Sequence, residues 1–314
     1  MKKKKIIKYN KCLIPTYQHY REFLLNNKEQ EYIKHHDLEK IFEYYSLYLM
    51  NDFICDEIGD EYIAAGLSDI ASTILFNDIK GKTKHIFIQD SELYKLLESI
   101  PVKDIKGMKD YIKEYGEETI FYSLDTKLKD LDSVKENKQK RLYYCIHFPE
   151  EINKDGLAVR LRIVNDELVC DCIKGHEAAS FSSESKYLKH PELETDRTDL
   201  KMWQLTVNTF FYMKTFPECV KLGVPSGFTF DFPTTSEKLK LGTSEKILET
   251  RKQINDKSKI VTPHFRKGYF RYLGSDYFKE KRGQFVFVHE TMVKARETVT
   301  LENTKKTKSI KKNL

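Results

Sequence analysis

The chain is poor in glycine, proline and tryptophan, with 13 Gly, 8 Pro and one Trp among its 314 residues. Together with many Lys, Ile and Asn, this composition is typical of an AT-rich coding sequence, so part of the lysine content reflects base composition. No window approaches about 18 uninterrupted apolar residues, which excludes a membrane-spanning helix. No apolar secretory region follows the initial lysines. With 40% hydrophobic residues, we expect a globular protein with a substantial core and no membrane partner.

Disulfide frameworks are also missing. The six cysteines, at positions 12, 55, 145, 170, 172 and 219, show no paired spacing, which indicates a reducing compartment, the cytoplasm of a bacterial host cell. Cys170 and Cys172 share one strand face, and His176 follows four residues later, so the three could ligate zinc. No second cysteine pair completes that site, and buried core cysteines are the favoured interpretation. We therefore expect no metal.

Motifs for common catalytic chemistries are absent as well. The chain has no phosphate-binding glycine loop, nucleophile elbow or zinc-protease helix, so no cofactor is expected. Arg141 and His147 have a spacing used by some metal-independent ribonucleases, but there the pair lies on a helix, and here a strand is predicted. The acidic residues around 150, 166 and 171 resemble a metal-dependent nuclease only superficially, and solvated turns are favoured. Whether the protein is an enzyme stays open at this stage, with a non-enzyme favoured.

Positive charge is concentrated near the C-terminus. Residues 251–314 hold 17 Lys or Arg against six Asp or Glu, a net charge of +11, which leaves −5 for residues 1–250. A basic region of this kind favours an anionic partner such as RNA, whose binding would weaken steeply with salt.

Hydrophobic periodicity predicts the regular elements. The pattern L-A-V-R-L-R-I-V from residue 157 alternates strictly, and Asn165–Asp166 supplies a hairpin turn. Arg160 and Arg162 lie on one face of that strand, where they could extend a basic surface or, as favoured, be solvated. The apolar helix 200–213 should be central, with sheets packed on it. We also predict helices at 17–26, 37–55, 66–75, 91–97, 109–115 and 245–254, and strands at 85–89, 119–124, 142–148, 157–164, 168–173 and 284–289. The charged run 127–141 is predicted to be a loop or an exposed helical connection. Residues 174–197 and 223–233 are predicted to be irregular.

This order of elements predicts an α+β fold. Residues 1–135 form a mostly helical N-terminal region with a small strand-helix unit. Residues 136–293 form a C-terminal domain in which an antiparallel sheet packs on the central apolar helix. Residues 294–314 are too polar to bury and are expected to be a basic flexible tail.

Residues 260–288 carry the main functional prediction because cations and aromatic rings alternate there. Pro263 restricts the residue before it to extended geometry, and Gly268 and Gly274 permit bends, so irregular β structure is expected. Guanidinium groups pair with anions while rings stack, which suits recognition of phosphates, bases or an acidic peptide. The alternative is a hairpin with a buried apolar face and solvated cations. The candidate binding residues are His264, Arg266, Lys267, Tyr269, Phe270, Arg271 and Tyr272.

Residues 262–271, T-P-H-F-R-K-G-Y-F-R, resemble the box Arg-Pro-His-x-Arg-Arg-Gly-His-Trp of uncharacterised phage and plasmid proteins. One group with this box is a type V-A anti-CRISPR family, which lowers production of the type V-A nuclease by recognising the nascent chain and promoting loss of its transcript. The chain matches at Pro263, His264, Arg266 and Gly268, whereas Thr262 replaces Arg, Lys267 replaces Arg, and Tyr269 and Phe270 replace His and Trp. The helix 200–213 and the corner after it resemble the same family, and residues 85–97 resemble its strand-helix segment more weakly.

The resemblance implies an interaction protein of a phage or mobile element that evades host defence. Its partner would be a protein or nascent polypeptide, with RNA or the ribosome as a second partner. The alternative is a nuclease in which His264 performs acid-base chemistry beside Arg266 and Arg271. A general nucleic-acid-binding protein is a third expectation.

Overall fold

The structure is a computed structural model. It describes residues 16–34, 41, 45, 61–123, 135–152, 156–174, 177–185, 198–230, 234–245, 264–266, 268–289 and 291–293. Several predictions lie outside these residues: most of the helix at 37–55, the helix at 245–254 beyond its first residue, and the tail after 293.

Six helices are described, and local signals fix several of their ends. Asp90 caps the fourth helix by accepting a hydrogen bond from the Leu93 amide at 2.8 Å, and Asp104 caps the fifth through the Gly107 amide at 3.0 Å. Pro101 follows the fourth helix, and the residue before a proline disfavours helical geometry, so the helix ends there. The helices are α1 (Thr16–Asn26), α2 (Glu31–Lys34), α3 (Glu61–Ile79), α4 (Ser91–Ser99), α5 (Ile105–Tyr115) and α6 (Thr198–Thr215).

Twelve strands are described, and eight of them form one mixed sheet. The strands are β1 (Lys84–Ile88), β2 (Glu117–Ser123), β3 (Lys135–His147), β4 (Leu157–Val164), β5 (Glu167–Lys174), β6 (Glu177–Ser182), β7 (Val220–Leu222), β8 (Glu237–Leu241), β9 (His264–Arg266), β10 (Tyr269–Tyr272), β11 (Phe285–Val288) and β12 (Thr291–Val293). The sheet order is β6-β5-β4-β3-β1-β8-β7, and β2 also pairs with β3. β10 and β11 form a separate antiparallel hairpin, and β9 pairs with β12.

The hairpin β4–β5 follows the sequence prediction closely. Asn165 and Asp166 adopt φ angles of 48° and 62°, the left-handed geometry that a two-residue hairpin turn requires. Short polar side chains tolerate this conformation better than other non-glycine residues. The turn therefore sets the register, in which Val164 lies opposite Glu167.

Strand β1 joins the two halves of the sequence. It pairs in parallel with β3 on one side and with β8 on the other. The boundary predicted after residue 135 falls at the start of β3, so residues on both sides of that boundary share one sheet. Parallel neighbours need long crossover connections. The connection from β1 to β3 runs through α4, α5 and β2, and the chain then continues through α6 before it reaches β8.

Both faces of this sheet are covered by helices. One core contains residues of α4, α5 and α6 packed on side chains such as Ile86, Tyr144 and Ile146. The opposite core contains residues of α1 and α3 packed on Tyr143 and Cys145. The predicted α+β class is confirmed, with a mixed rather than a purely antiparallel sheet. No helix in the described ranges combines the length and hydrophobicity needed to cross a bilayer.

Several described strands differ from the sequence prediction, and two short ones, β7 and β12, were not predicted at all. β3 begins at Lys135, within the charged run predicted as a loop or exposed helix, because its early residues pair with β2. β6 lies within the polar segment predicted to be irregular, paired with β5. β8, with the sequence E-K-L-K-L, was missed because its lysines hide a short alternating pattern whose Leu239 and Leu241 are buried.

Candidate functional site

The hairpin β10–β11 divides its side chains between core and solvent. Phe270 and Tyr272 point inward and are buried, whereas Arg271 between them is exposed. The Phe270 ring stacks on Phe211 of α6 with ring centroids 6.0 Å apart. This alternation follows directly from the two-residue period of a strand, and it anchors the inner face of the hairpin on the central helix.

Asp104 ties the hairpin to α5. One of its carboxylate oxygens caps α5, and the other accepts a hydrogen bond from the Tyr272 amide at 2.6 Å. The Tyr272 hydroxyl donates to Glu114 at 3.4 Å. Burial, with a smaller contribution from the Glu114 charge, raises the pKa of Tyr272 to about 12. Tyr272 is therefore neutral at physiological pH and serves as a packing residue with a polar end.

Gly268 lets the chain enter β10 close to its partner strand. A Cβ atom at this position would lie 2.6 Å from Phe287 Cζ and 3.0 Å from the Val288 carbonyl oxygen. A side chain at this position would require the Phe287 ring and the Val288 carbonyl to shift, so glycine fits best at this close approach. Gly268 is not among the described glycines with a positive φ angle, so the small size of glycine at this close approach, and not the predicted freedom to bend, explains the residue.

The outward side of the hairpin carries stacked cations and rings. The Arg271 guanidinium lies 5.2 Å from the Phe278 ring centroid, and Lys103 Nζ lies 4.9 Å from that of Tyr269. Tyr277 is 85% exposed, the most exposed large hydrophobic residue among those described. We define the hairpin surface as Lys103, Tyr269, Arg271, Tyr277 and Phe278.

The structure places the predicted binding residues in three groups. Tyr269 and Arg271 belong to the hairpin surface, whereas Phe270 and Tyr272 are buried in the core. His264 and Arg266 lie in β9, for which the structure describes the backbone, and this strand pairs with β12. Lys267 lies outside the described residues. Sequence reasoning missed Lys103, Tyr277 and Phe278 because Lys103 comes from a distant segment and the other two follow the box.

A second polar cluster, which sequence reasoning also missed, is buried on the sheet face near α3. His85 Nε2 lies 2.9 Å from Asp78 Oδ1, and His85 Nδ1 lies 3.0 Å from His147 Nε2. None of the three side chains is more than 2% exposed. We call Asp78, His85 and His147 the buried histidine network. The residues lie at the end of α3, on β1 and on β3, so only the sheet brings them together.

Hydrogen bonds keep the Asp78 carboxylate charged despite its burial. Desolvation alone would raise its pKa, but the contact with His85 and the nearby hydroxyl groups of Ser236 and Thr234 outweigh that effect and leave the pKa of Asp78 below its ordinary value. Thr234 donates to Asp78 Oδ1 at 2.8 Å, and Ser236 Oγ donates to the Asp78 carbonyl oxygen at 3.1 Å. Asp78 thus connects α3, β1 and the segment that leads into β8.

Arg141 and His147 do not form the ribonuclease-like pair that their spacing suggested. They lie six residues apart on β3, and six residues of extended strand span about 20 Å. His147 instead belongs to the buried histidine network, and Arg141 binds Gln139 Oε1 through two nitrogens at 3.1 and 3.2 Å.

Arg160 and Arg162 share one strand face, as predicted, but the favoured interpretation of a solvated face is wrong for Arg160. Arg160 is 1% exposed and binds Asp171 Oδ2 at 2.7 Å. Arg162 binds the same carboxylate, and Ser180 donates to it at 2.7 Å. Burial raises the pKa of Asp171, but the two guanidinium groups and Ser180 outweigh this and lower it below its ordinary value. This cluster holds strands β4, β5 and β6 together.

The predicted cysteine pair lies in the core on the α6 side of the sheet. Cys170 Sγ donates to Thr206 Oγ1 at 3.3 Å, and burial raises the pKa of the Cys170 thiol. Such a thiol is a structural residue and not a nucleophile. His176, the third proposed zinc ligand, lies outside the described residues.

These arrangements define one accessible candidate, the hairpin surface, and one enclosed candidate, the buried histidine network. Comparisons with known protein families and with curated proteins found no match to this chain.

Proposed function

We propose that this protein is an interaction protein of a phage or mobile element that binds a host polypeptide through the hairpin surface. Its action would be similar to that of the type V-A anti-CRISPR family, with a nascent chain as the bound polypeptide and RNA or the ribosome as the second partner. The observation that carries the proposal is the exposure of Tyr277 and Arg271 on a hairpin whose opposite face is anchored in the core.

Rigid presentation of these side chains favours recognition. Tyrosine and arginine dominate the binding energy of many protein interfaces because they combine large contact area with hydrogen-bonding groups. Arg271 projects from the packed strand β10, and Tyr277 lies in the segment Asp276–Lys281 that connects β10 to β11. Contacts made from a packed strand lose less conformational entropy on binding than contacts made from a free loop, which favours Arg271 in particular. Asp104, Phe270 and Tyr272 supply the anchoring here.

Charge complementarity favours an acidic segment in the bound polypeptide. Arg271 and Lys103 present cations beside aromatic rings, and nearby Lys279 and Lys281 are exposed. A guanidinium pairs with a carboxylate through two parallel hydrogen bonds, which an ammonium does not reproduce.

We expect Arg271→Ala and Tyr277→Ala each to reduce capture of the partner polypeptide by about tenfold, since such residues contribute at least about 1.4 kcal/mol each at an interface. The measurement is crosslinking of the full-length protein in its host, followed by quantitative mass spectrometry with and without ribonuclease treatment. Arg271→Lys keeps the positive charge but loses the two parallel hydrogen bonds of the guanidinium. We expect it to reduce capture as much as Arg271→Ala does.

Arg21→Ala is the matched control, because Arg21 is an exposed arginine on α1, which covers the other face of the sheet. We expect this variant to capture the same polypeptides as the wild type. Equal capture by all variants would show that the hairpin surface does not bind the polypeptide. Loss of every captured polypeptide after ribonuclease treatment would show that the bound partner is RNA and not a polypeptide.

The alternative function is a nuclease that uses His264 as its acid-base group. Glutamine keeps hydrogen bonding but cannot exchange a proton near neutral pH, and loss of general acid-base catalysis costs about a hundredfold or more. On the binding proposal, we expect His264→Gln to retain partner capture and the purified wild type to cleave neither RNA nor DNA. Cleavage with turnover that disappears in a folded His264→Gln variant would establish the nuclease instead.

A further inference from the structure

The buried histidine network has a fixed capacity for protons, because two ring nitrogens face each other at 3.0 Å. One of them must donate and the other must accept. His85 Nε2 faces the Asp78 carboxylate and therefore carries a proton, which leaves His85 Nδ1 for the contact with His147.

Two protonation states satisfy this geometry. With both rings neutral, His147 Nε2 donates to His85 Nδ1. With one added proton, either His85 becomes imidazolium and donates from both nitrogens while His147 Nε2 accepts, or His147 becomes imidazolium and still donates from Nε2 to His85 Nδ1. A second added proton places an N–H on each side of the contact and two positive charges side by side. That third state is incompatible with the observed distance.

An aromatic loop covers the network. Residues 223–230 connect β7 to the segment before β8, and their Phe228 and Phe230 pack edge-on against the network rings. The Phe230 ring centroid lies 4.7 Å from that of His85, and the Phe228 centroid lies 5.2 Å from that of His147. Both phenyl rings are partly exposed, so the imidazoles lie one aromatic layer below the surface.

The chain that follows the aromatic loop is hydrogen-bonded to the buried histidine network. Thr234 and Ser236, which follow the aromatic loop, donate to Asp78. Gly223 and Gly227 adopt φ angles of 107° and 84°, a conformation available to glycine at little cost. A change in the network therefore acts on a loop whose backbone can bend at Gly223 and Gly227.

We propose that the buried histidine network is an acid-sensitive latch that holds the aromatic loop closed while it carries at most one added proton and releases it when both imidazoles are protonated. The charged groups beside it include the Asp78 carboxylate from α3 and Lys238 of β8, whose Nζ also donates to the Thr234 carbonyl oxygen at 2.5 Å. Lys238 Nζ lies 5.5 Å from the Phe230 ring centroid and adds positive charge to this side. Because the pKa of Asp78 lies below its ordinary value, this carboxylate stays charged at pH 5 and does not account for the release.

The direction of the pH effect follows from the proton count. The open form accepts one proton more than the closed form, so acid favours opening. The open fraction then rises by up to about tenfold for each pH unit over the range in which the open form binds the additional proton.

Amide hydrogen exchange of the full-length protein, read by mass spectrometry on peptides covering residues 223–236, tests the latch. After correction for intrinsic exchange chemistry, we expect exchange of the aromatic loop to be about tenfold or more faster at pH 5.0 than at pH 7.5. In His147→Gln, the amide can accept from a protonated His85 or donate to a neutral one. We expect the acid acceleration to fall to about twofold or less in this variant.

His289→Gln is the matched control, since His289 is an exposed histidine next to Phe287 of the hairpin β10–β11, and it should keep the full acid acceleration. Equal loop exchange at both pH values in the wild type would overturn the latch, as would full acid acceleration in His147→Gln.

Imidazole nitrogen NMR of the wild type gives a reading that does not depend on a variant folding. We expect both rings to become doubly protonated only in the pH range where the aromatic loop loses protection. Two imidazolium rings under a loop that stays protected would contradict the latch.

Discussion

Phe211→Ala is expected to lower the free energy of unfolding by about 3–5 kcal/mol, because it removes a large buried ring and leaves a cavity that the surroundings fill only in part. Phe211 is 1% exposed and lies on α6, where its ring centroid is 5.3 Å from that of Phe285 and 6.0 Å from that of Phe270. The loss therefore affects both the central helix and its contact with the hairpin β10–β11.

Denaturant unfolding followed by tryptophan fluorescence measures this effect. Trp203, the single tryptophan, is buried on the same helix, so its emission should be blue-shifted in the folded protein and move to longer wavelength on unfolding. Lys201→Ala is the control, because Lys201 is exposed on α6 and alanine keeps the helix. A loss below about 1 kcal/mol for Phe211→Ala, or solvent-like emission from folded protein, would contradict a central α6.

Asp171→Asn is expected to cost about 3–5 kcal/mol of stability, because it takes the carboxylate away from the buried Arg160 guanidinium and leaves that charge in the protein interior. Asparagine has nearly the same shape, so packing changes little. The expected loss is therefore electrostatic, and it should appear as reduced unfolding free energy for the sheet formed by β4, β5 and β6.

The pH dependence separates this electrostatic loss from a packing defect. The pKa of Asp171 is lower in the folded state than the value of about 3.9 expected in the unfolded chain. Its contribution to stability is therefore complete above about pH 4 and is lost as the pH falls through the folded pKa. We expect the stability difference between wild type and Asp171→Asn to shrink as the pH is lowered from 5 towards 3.

Asp166→Asn provides the control for this series. Asp166 contacts Lys109 at 2.9 Å at the exposed turn of the same hairpin, and asparagine tolerates its left-handed backbone. Exposed ion pairs contribute little, so this variant should resemble the wild type. An equal loss in both variants, or a difference for Asp171→Asn that persists unchanged to pH 3, would rule out the buried-charge explanation.

Local signals predicted much of the secondary structure. The alternation of residues 157–164 and the Asn165–Asp166 turn predicted β4 and β5, because strand period and turn chemistry are properties of neighbouring residues. The apolar helix 200–213 was recognised as central for a similar reason, and Trp203, Phe210 and Phe211 are all buried. For residues 260–288 the sequence left two interpretations open, a binding surface or a hairpin with a buried apolar face and solvated cations. The burial of Phe270 and Tyr272 on either side of the exposed Arg271 agrees with the hairpin in β10.

The sequence by itself therefore determined the α+β class, most of the described helices, the hairpin β4–β5, and the concentration of cations and aromatic residues near the C-terminus. Tertiary structure alone decided that β1 pairs in parallel with β3 and β8, because no local pattern specifies a partner about 60 or 150 residues away. It also decided which polar side chains are buried. His85, His147, Arg160 and Asp171 are ordinary polar residues in the sequence, and they become buried partners only because the sheet places a complementary group within 3.0 Å of each.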